Sequence, residues 1–383
     1  MKTFDFMIPD EEFKQRLQNL KKKMERDNID LAVVAGNEHF QADVRYLSDY
    51  RPILEDSVVL VPLNEEPILL AGPECKTWAE QTSRIENILV CSDISVPEEE
   101  YSNIKVQSLE EILKGITKRN KVKKVGLTHM GKVPNSLIEP VRKVFDIKDI
   151  VDASNIIEEL RMIKSKNEIK IMKYSYQATK AGLDKALANV EIGMPESAVA
   201  GFAAKEIYDW GADQLAHTFL VASGLRTRAV VAFPDPGKRV EDGDIVLMSI
   251  GSIFRGYYSD MARGITVGNA SKERKDIVKL CKEVQQIAIS KMKAGVNAHD
   301  VDASARAYLM KSGYGENQLY GICAHAVGLQ HCETPLTGPH AGFTLQEGMV
   351  FTVDGGLFEY PFGGCRNEVG VVVTKDGTEP MAV

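Results

Sequence analysis

The chain has 383 residues, which is more than one hydrophobic core usually supports, so two domains are expected. Its composition, 44% hydrophobic and 26% charged, is typical of a globular protein and excludes general disorder. The net charge of −7, with both signs interspersed, excludes the basic surface of a nucleic-acid-binding protein.

The sequence also bears on location and redox state. No apolar stretch approaches the roughly 18 residues of a membrane span, so no membrane partner is expected. The start of the chain is acidic and lacks the apolar segment of a signal peptide, which predicts a cytoplasmic protein. The six cysteines are scattered without a CxxC pair, which predicts free thiols in a reducing compartment.

The first part of the chain alternates between helical and strand patterns. Apolar residues at helical spacing follow an acidic start at residues 10–12, and LAVVAG at 31–36 is typical of a short buried strand. Further segments with strand character are SVVLVP, PILLAG, NILVCS, KVGLTH and DIVDAS, and NSLIEPVRKVF has a helical pattern. This order predicts an α/β domain over residues 1–155.

The second part begins with a long amphipathic segment that is broken around Lys164–Asn167 and predicts two helices. After it, strand patterns dominate, with helical patterns between them over 272–295 and 297–313. Antiparallel strands with helices packed outside the sheet predict an α+β domain over residues 156–383.

One hairpin in this part carries an unexpected charge. Residues 243–268, GDIVLMSIGSIFRGYYSDMARGITVG, predict two strands, Ile245–Ile250 and Tyr257–Val267, joined around glycine and arginine. The second strand contains Asp260, a carboxylate at a position where a core strand is normally apolar.

Three more polar residues interrupt apolar strand patterns, namely His325, Asp354 and Glu368. A buried carboxylate is costly unless it is paired or bound to a cation. Together with Asp260, these side chains form an oxygen and nitrogen ligand set for a divalent metal ion. From spacing alone the alternative stays open that each acts separately, as a strand-end cap, a core histidine or a turn residue.

The chain resembles the creatinase/prolidase/methionine-aminopeptidase superfamily, the pita-bread enzymes, over nearly its whole length. The segments that carry the resemblance are ELRMIKSKNEIKIMKYSYQATKAGLDKAL, AHAVGLQHCETP, LQEGMVFTVDGG and GGCRNEVGVVVTKDG. The resemblance implies an N-terminal domain of creatinase/prolidase type. It also implies a C-terminal pita-bread domain with a curved antiparallel sheet.

The family's five metal ligands fall on Ser249, Asp260, His325, Asp354 and Glu368. Serine at 249 cannot supply the carboxylate that mainly binds the second ion of the two-metal members. The resemblance therefore implies one divalent ion per subunit, Mn, Co, Fe or Zn, held by the other four residues. Asp354, one carbon shorter than the family's glutamate, is implied as the catalytic proton carrier.

The resemblance also implies substrate-binding residues. Cys332 stands where the family has its second histidine, and His331 is adjacent to it. The histidine that normally precedes the hairpin is absent from the segment RTRAVVAFPDPG. The residues predicted to contact substrate are Arg366, Cys332, His331, His217 and Tyr258. The alternatives are an ion pair with an acid for Arg366, a buried inert thiol for Cys332 and a core position for His217.

The resemblance implies a metal-dependent hydrolase of Xaa-Pro-peptidase or prolidase type, with an altered, mononuclear site, acting on a short peptide or small amide. One alternative is a metal-independent, creatinase-like enzyme that cleaves a small C–N compound. Another is a non-catalytic pita-bread protein that binds a peptide or a partner. By resemblance, a homodimer is expected.

Overall fold

The computed structural model describes residues 5–94, 103–217, 219–315, 319, 321 and 323–383. The chain divides into two compact units. The first is Ile8–Arg161, and the second is Met162–Val383 together with the described residues before Ile8.

The first unit is built on a mixed sheet. Its helices are α1 (Asp10–Arg26), α2 (Ala42–Ser48), α3 (Lys76–Thr82), α4 (Leu109–Arg119), α5 (Asn135–Val144) and α6 (Ser154–Met162), the last of which ends at the unit boundary. Its strands are β1 (Leu31–Gly36), β2 (Ser57–Pro62), β3 (Ile68–Ala71), β4 (Ile88–Val90), β5 (Val125–Leu127) and β6 (Ile150–Asp152). They form a six-stranded sheet in the order β4-β3-β2-β1-β5-β6.

Continuous apolar strands make the core of this unit. Every residue of β1 is buried, because the strand is covered on both faces. Leu31 and Val33 belong to a cluster that includes Leu109 and Leu113 of α4 and Val141 of α5. The predicted α/β character of this part is thus confirmed.

The second unit is α+β, as predicted. Its helices are α7 (Lys166–Leu187), α8 (Glu196–Asp209), α9 (Lys272–Lys291) and α10 (Ala298–Lys311). Its strands are β7 (Gln214–Leu215), β8 (Leu220–Ser223), β9 (Ile245–Ile250), β10 (Ser252–Phe254), β11 (Tyr257–Tyr258), β12 (Met261–Thr266), β13 (Ala324–Ala326), β14 (Glu333–Thr337), β15 (Val350–Tyr360), β16 (Gly363–Val373) and β17 (Thr378–Pro380). The break predicted around Lys164–Asn167 lies between α6 and α7, where Ser165 and Glu168 form a capping box at the start of α7.

The main sheet of this unit has eight strands. Seven follow the order β14-β13-β15-β16-β12-β9-β8, β17 pairs with β16, and every pairing between them is antiparallel. Helices α9 and α10 contribute Cys281, Val284 and Leu309 to the hydrophobic core on one face of this sheet. Among the described residues, no helix has both the length and the apolar character needed to cross a membrane.

The predicted hairpin is more divided than expected. β9 pairs with β12, but β10 and β11 form a separate small hairpin between them, so the single strand predicted over Tyr257–Val267 is wrong. The break falls at Ser259 and Asp260. The hydroxyl of Ser259 accepts a hydrogen bond from the backbone N–H of Ser252 and contacts the hydroxyls of Ser175 and Thr179, which anchors the chain to α7 at the break.

Candidate active site

The register of the large sheet places several polar residues in one row. Ser249 on β9 lies opposite Ala262 on β12, and Ala262 lies opposite Glu368 on β16. Glu368 in turn lies opposite Asp354 on β15. Because directly opposed residues of antiparallel strands point to the same face, these side chains share one face of the sheet.

His325 on β13 continues this row. It lies opposite Thr352, and Thr352 shares a face with Asp354 because the two are separated by one residue. On this face the hydroxyl of Tyr176, from α7, lies 2.6 Å from Oγ1 of Thr352. The intervening Val353 belongs to the hydrophobic core on the other face. The alternation of β15 therefore separates a polar row from an apolar core.

Asp260 lies at the centre of three histidines. It directly precedes β12 and is only 2% exposed. Its Oδ2 is 2.7 Å from Nε2 of His331 and 3.6 Å from Nε2 of His325. Its Oδ1 is 3.9 Å from Nε2 of His217. Nε2 of His325 is also 3.6 Å from Oε1 of Glu368, so an imidazole stands between two buried carboxylates.

These contacts shift the ionisation of both partners. Burial alone would raise the pKa of Asp260, but the charge of His331 and the proximity of His217 and His325 bring it well below its usual value. Burial alone would lower the pKa of His325, but the proximity of Asp260, Cys332 and Glu368 raises it well above its usual value. The group therefore favours a carboxylate at Asp260.

Two sets of side chains have the spacing of metal ligands. Asp260, His325 and Glu368, here called the first donor group, each offer a ligand atom, and these atoms lie within 4.8 Å of one another. His217, Asp260 and His331, the second donor group, meet the same limit. Asp260 belongs to both groups, which makes its two carboxylate oxygens the link between them.

Several carboxylate oxygens here are buried without a hydrogen-bond partner. They are Oδ1 of Asp260, Oδ1 of Asp354 and Oε2 of Glu368. Leaving such an oxygen buried without a donor is costly, and a bound cation removes that cost. Carboxylate and imidazole ligands suit Mn, Fe, Co and Zn. The first donor group therefore fits a divalent ion in both geometry and chemistry.

Asp354 does not belong to either donor group. Its Oδ2 lies 3.2 Å from Nε of Arg366, and Glu368 is its cross-strand neighbour. The aspartate side chain is one carbon shorter than the family's glutamate, and the neighbouring guanidinium attracts it. Burial raises the pKa of Asp354 to about 7, although Arg366 acts to lower it.

Arg366 is therefore paired with an acid, as one of the sequence-based alternatives holds. Its partner is Asp354, and its guanidinium also lies 5.4 Å from the ring centre of Phe358. With a side chain only 15% exposed, Arg366 is fixed at the edge of the polar row. This pairing leaves the guanidinium with further N–H donors besides Nε.

A buried ion pair supports the loop that carries His331. Nζ of Lys164 lies 3.2 Å from Oε2 of Glu333, and both side chains are almost fully buried. Oε1 of Glu333 accepts a hydrogen bond from the backbone N–H of Gln330, and the N–H of Tyr258 donates to the carbonyl of Gly328. These contacts fix both ends of the short loop and hold His331 near Asp260.

The remaining predicted residues lie in different places. Tyr258 is on β11 of a small three-stranded sheet rather than in the large sheet. His217 lies between β7 and β8, and its ring is 4.8 Å from that of His331. The burial predicted for Cys332 as an inert thiol is wrong, because β13 ends at Ala326 and leaves this residue in an exposed loop. All six cysteines are free.

Sequence reasoning did not identify the second donor group. It assigned His217 and His331 only to substrate contacts, because the resemblance aligns neither with a metal ligand. One signal was available in the sequence. The chain lacks the family's acid at Ser249 but has the histidines His217 and His331, which could replace it as ligands. Only the three-dimensional structure shows both rings at the same carboxylate.

The comparisons with known proteins agree with this architecture. The family model described as metallopeptidase family M24 matches residues 170–375, which is more than half of the chain. The model of the creatinase/prolidase N-terminal domain matches residues 16–163.

Individual relatives match over almost their full length. An Xaa-Pro dipeptidase from Pyrococcus horikoshii is 27% identical over 96% of this chain and 96% of its own. Among solved structures, the prolidase from Pyrococcus horikoshii OT3 has a TM-score of 0.81 at 26% identity, covering 96% of this chain and 97% of its own. An Xaa-Pro dipeptidase from Bacillus anthracis has a TM-score of 0.82 at 25% identity, with the same coverage of both chains.

Proposed function

We propose that this chain, which belongs to metallopeptidase family M24, is a metal-dependent hydrolase that cleaves a short Xaa-Pro peptide or a related small amide through an altered site. The observation that carries the proposal is the first donor group. Its two carboxylates are buried and each has an oxygen without a hydrogen-bond partner, while an imidazole completes a compact ligand set. The relatives named Xaa-Pro dipeptidase support the choice of substrate class.

Asp260, His325 and Glu368 would hold the ion. A divalent ion bound there polarises a substrate carbonyl and lowers the pKa of water, which makes hydrolysis feasible at neutral pH. The hydrophobic core behind β15 and the helix α7 in front of Thr352 fix the strands that carry these ligands. Preorganised ligands of this kind keep the reacting groups in place without reorganisation during the reaction.

Asp354 is proposed as the proton carrier. Its carboxyl group lies opposite Glu368 in the sheet, beside the first donor group, and would accept a proton from the attacking water and return it to the leaving nitrogen. Arg366 acts to lower the pKa of Asp354, which favours its carboxylate form. The free N–H groups of Arg366 would hold the carboxylate of a short peptide.

Hydrolysis of Xaa-Pro dipeptides by protein purified without chelator, with and without added Mn²⁺ or Co²⁺, tests the proposal. We expect turnover that rises with the ion and is lost in His325→Ala. The matched control is His299→Ala, an exposed histidine of the same unit, which should retain activity.

Two results would overturn the proposal. Turnover of guanidino or betaine-type amides that persists in chelator would favour the metal-independent, creatinase-like alternative. Peptide binding without turnover, unchanged in His325→Ala, would favour a non-catalytic binding protein. The homodimer expected from the resemblance is a separate point, which light scattering on the purified protein would test.

A further inference from the structure

The second donor group is built like an open metal site. His217 and His331 approach Asp260 from two different connections, one between β7 and β8 and one between β13 and β14. Their rings are 4.8 Å apart and lie edge to face at 71°, so they are not stacked on each other. This arrangement lets both Nε2 atoms face the same carboxylate.

The distances agree with coordination by one ion. Two ligand atoms on a Zn²⁺ ion, each about 2.1 Å from it, lie at most about 4.2 Å apart. The separations of 2.7 Å and 3.9 Å between Asp260 and the two histidines fall within that limit. The full group, within 4.8 Å, needs only a small movement to contract onto an ion.

In the second donor group the aspartate is buried, whereas the two histidines are partly exposed to solvent. The side chain of Asp260 is 2% exposed and its Oδ1, which faces His217, has no hydrogen-bond partner. The side chains of His217 and His331 are 21% and 41% exposed. Three protein ligands with one open side is the arrangement in which a catalytic zinc keeps a position for water or substrate.

We propose that His217, Asp260 and His331 form a second binding position for a late first-row divalent cation such as Zn²⁺ or Co²⁺. This position rests on the proposed metal-dependent function and lies beside the first donor group, with Asp260 bridging the two. The ligand count by resemblance gives one ion because Ser249 has no carboxylate. The two imidazoles supply the missing donors from other parts of the chain.

The donor set also defines which cations should bind. Two imidazoles and one carboxylate favour Zn²⁺, Co²⁺ and Ni²⁺ over Mg²⁺ and Ca²⁺, which prefer sites made of oxygen. Binding at the second position should therefore persist in excess Mg²⁺.

The experiment measures bound metal rather than activity. The full chain is stripped with chelator, loaded with Zn²⁺ in excess Mg²⁺, desalted and analysed for zinc per chain. We expect about two ions in the wild type, about one in His331→Gln or His217→Gln, and about one in His325→Ala. His299→Gln is the matched control and should keep both ions. Circular dichroism establishes that each variant is folded, and His217→Phe provides a second test at that position.

The outcomes separate the two proposals. One ion in the wild type, lost in His325→Ala but retained in the His217 and His331 variants, would overturn the second position and leave the proposed function standing. Two ions in the wild type that both remain in those variants would also overturn it. A wild type that binds no zinc would remove the second position together with the metal-dependent function. Loading with Co²⁺ adds a visible spectrum that should lose one component in His331→Gln.

Discussion

Each unit of this protein contains a buried aspartate with histidine beside it, and the two differ in how they are neutralised. In the first unit, Oδ1 of Asp43 lies 2.5 Å from a guanidinium nitrogen of Arg161, and Oδ2 lies 2.9 Å from Nε2 of His129. In the second unit, Oδ2 of Asp260 lies 2.7 Å from Nε2 of His331, but Oδ1 lies 3.9 Å from Nε2 of His217. One carboxylate has a close nitrogen at each oxygen, and the other does not.

This difference distinguishes a buried carboxylate in a structural ion pair, Asp43, from a buried carboxylate in a site for a cation, Asp260. The Asp43 cluster contains a permanently charged guanidinium and is internally matched, as expected for a structural ion pair. The Asp260 cluster also includes the carboxylate of Glu368, and among the described residues it has imidazoles but no guanidinium at bonding distance from Asp260. An incompletely matched set of acids suggests that a cation belongs there. Four predictions test this contrast.

The largest expected effect is on catalysis. Asp260→Asn should lower kcat/KM for an Xaa-Pro dipeptide by at least about 10–100-fold, since losing a metal ligand should cost at least as much as losing a residue that only orients one. Asp43→Asn should leave kcat/KM per folded molecule nearly unchanged. The measurement is steady-state hydrolysis with saturating Mn²⁺, normalised to folded protein. Equal losses in the two variants would show that the two clusters do not differ in this way.

The next effect is on stability and has the opposite pattern. Asp43→Asn should destabilise the first unit by roughly 3–5 kcal/mol, because it leaves the buried guanidinium of Arg161 without its counter-charge. The chain has two tryptophans, and Trp78 lies in this unit whereas Trp210 lies in the second. Urea unfolding followed by fluorescence in a Trp210→Phe background therefore reports on the first unit. If the free energy of unfolding fell by less than about 1 kcal/mol, the Asp43–Arg161 ion pair would contribute no more than an exposed ion pair does.

Much of the fold and part of the Asp260 site were accessible from the sequence, and particular residues show why. The strand LAVVAG was predicted from its apolar run and is observed as β1, Leu31–Gly36. Local hydrophobic patterns decide such elements. The convergence of Asp260, His325 and Glu368 was expected from the resemblance, and the strand register explains it.

Other features depend on contacts that no local pattern reveals. The break at Ser259 depends on hydroxyl groups of α7, about 80 residues away in sequence. The position of His331 depends on a loop held by the Lys164–Glu333 ion pair, whose members are 169 residues apart. The pairing of Asp354 with Arg366 depends on side-chain length as well as on strand register.

A third prediction concerns how the stability of the first unit depends on pH. Burial acts to raise the pKa of Asp43, but Arg161 and His129 lower it below its usual value. Because the folded-state pKa is below the unfolded value of about 3.9, the stabilisation is fully present above that pH and is lost as the pH falls through the folded pKa. The stability difference between wild type and Asp43→Asn should therefore be smaller at about pH 3 than at about pH 6. Urea titrations at both pH values measure it, and a difference that grew in acid would contradict this sign.

The smallest expected effect is the most discriminating. In metal-free protein, Glu368→Gln should change the stability of the second unit by less than about 1 kcal/mol, because Oε2 has no partner to lose and the loss of the 3.6 Å contact between Oε1 and His325 is offset by the removal of repulsion from Asp354. Fluorescence of Trp210 in a Trp78→Phe background reports on this unit. With Zn²⁺ present the wild type should gain stability and the variant much less, since a ligand that binds only the folded state stabilises it by mass action. If Glu368→Gln instead destabilised the metal-free unit as strongly as Asp43→Asn destabilises the first, Glu368 would be a structural acid, and its open oxygen would not indicate a cation.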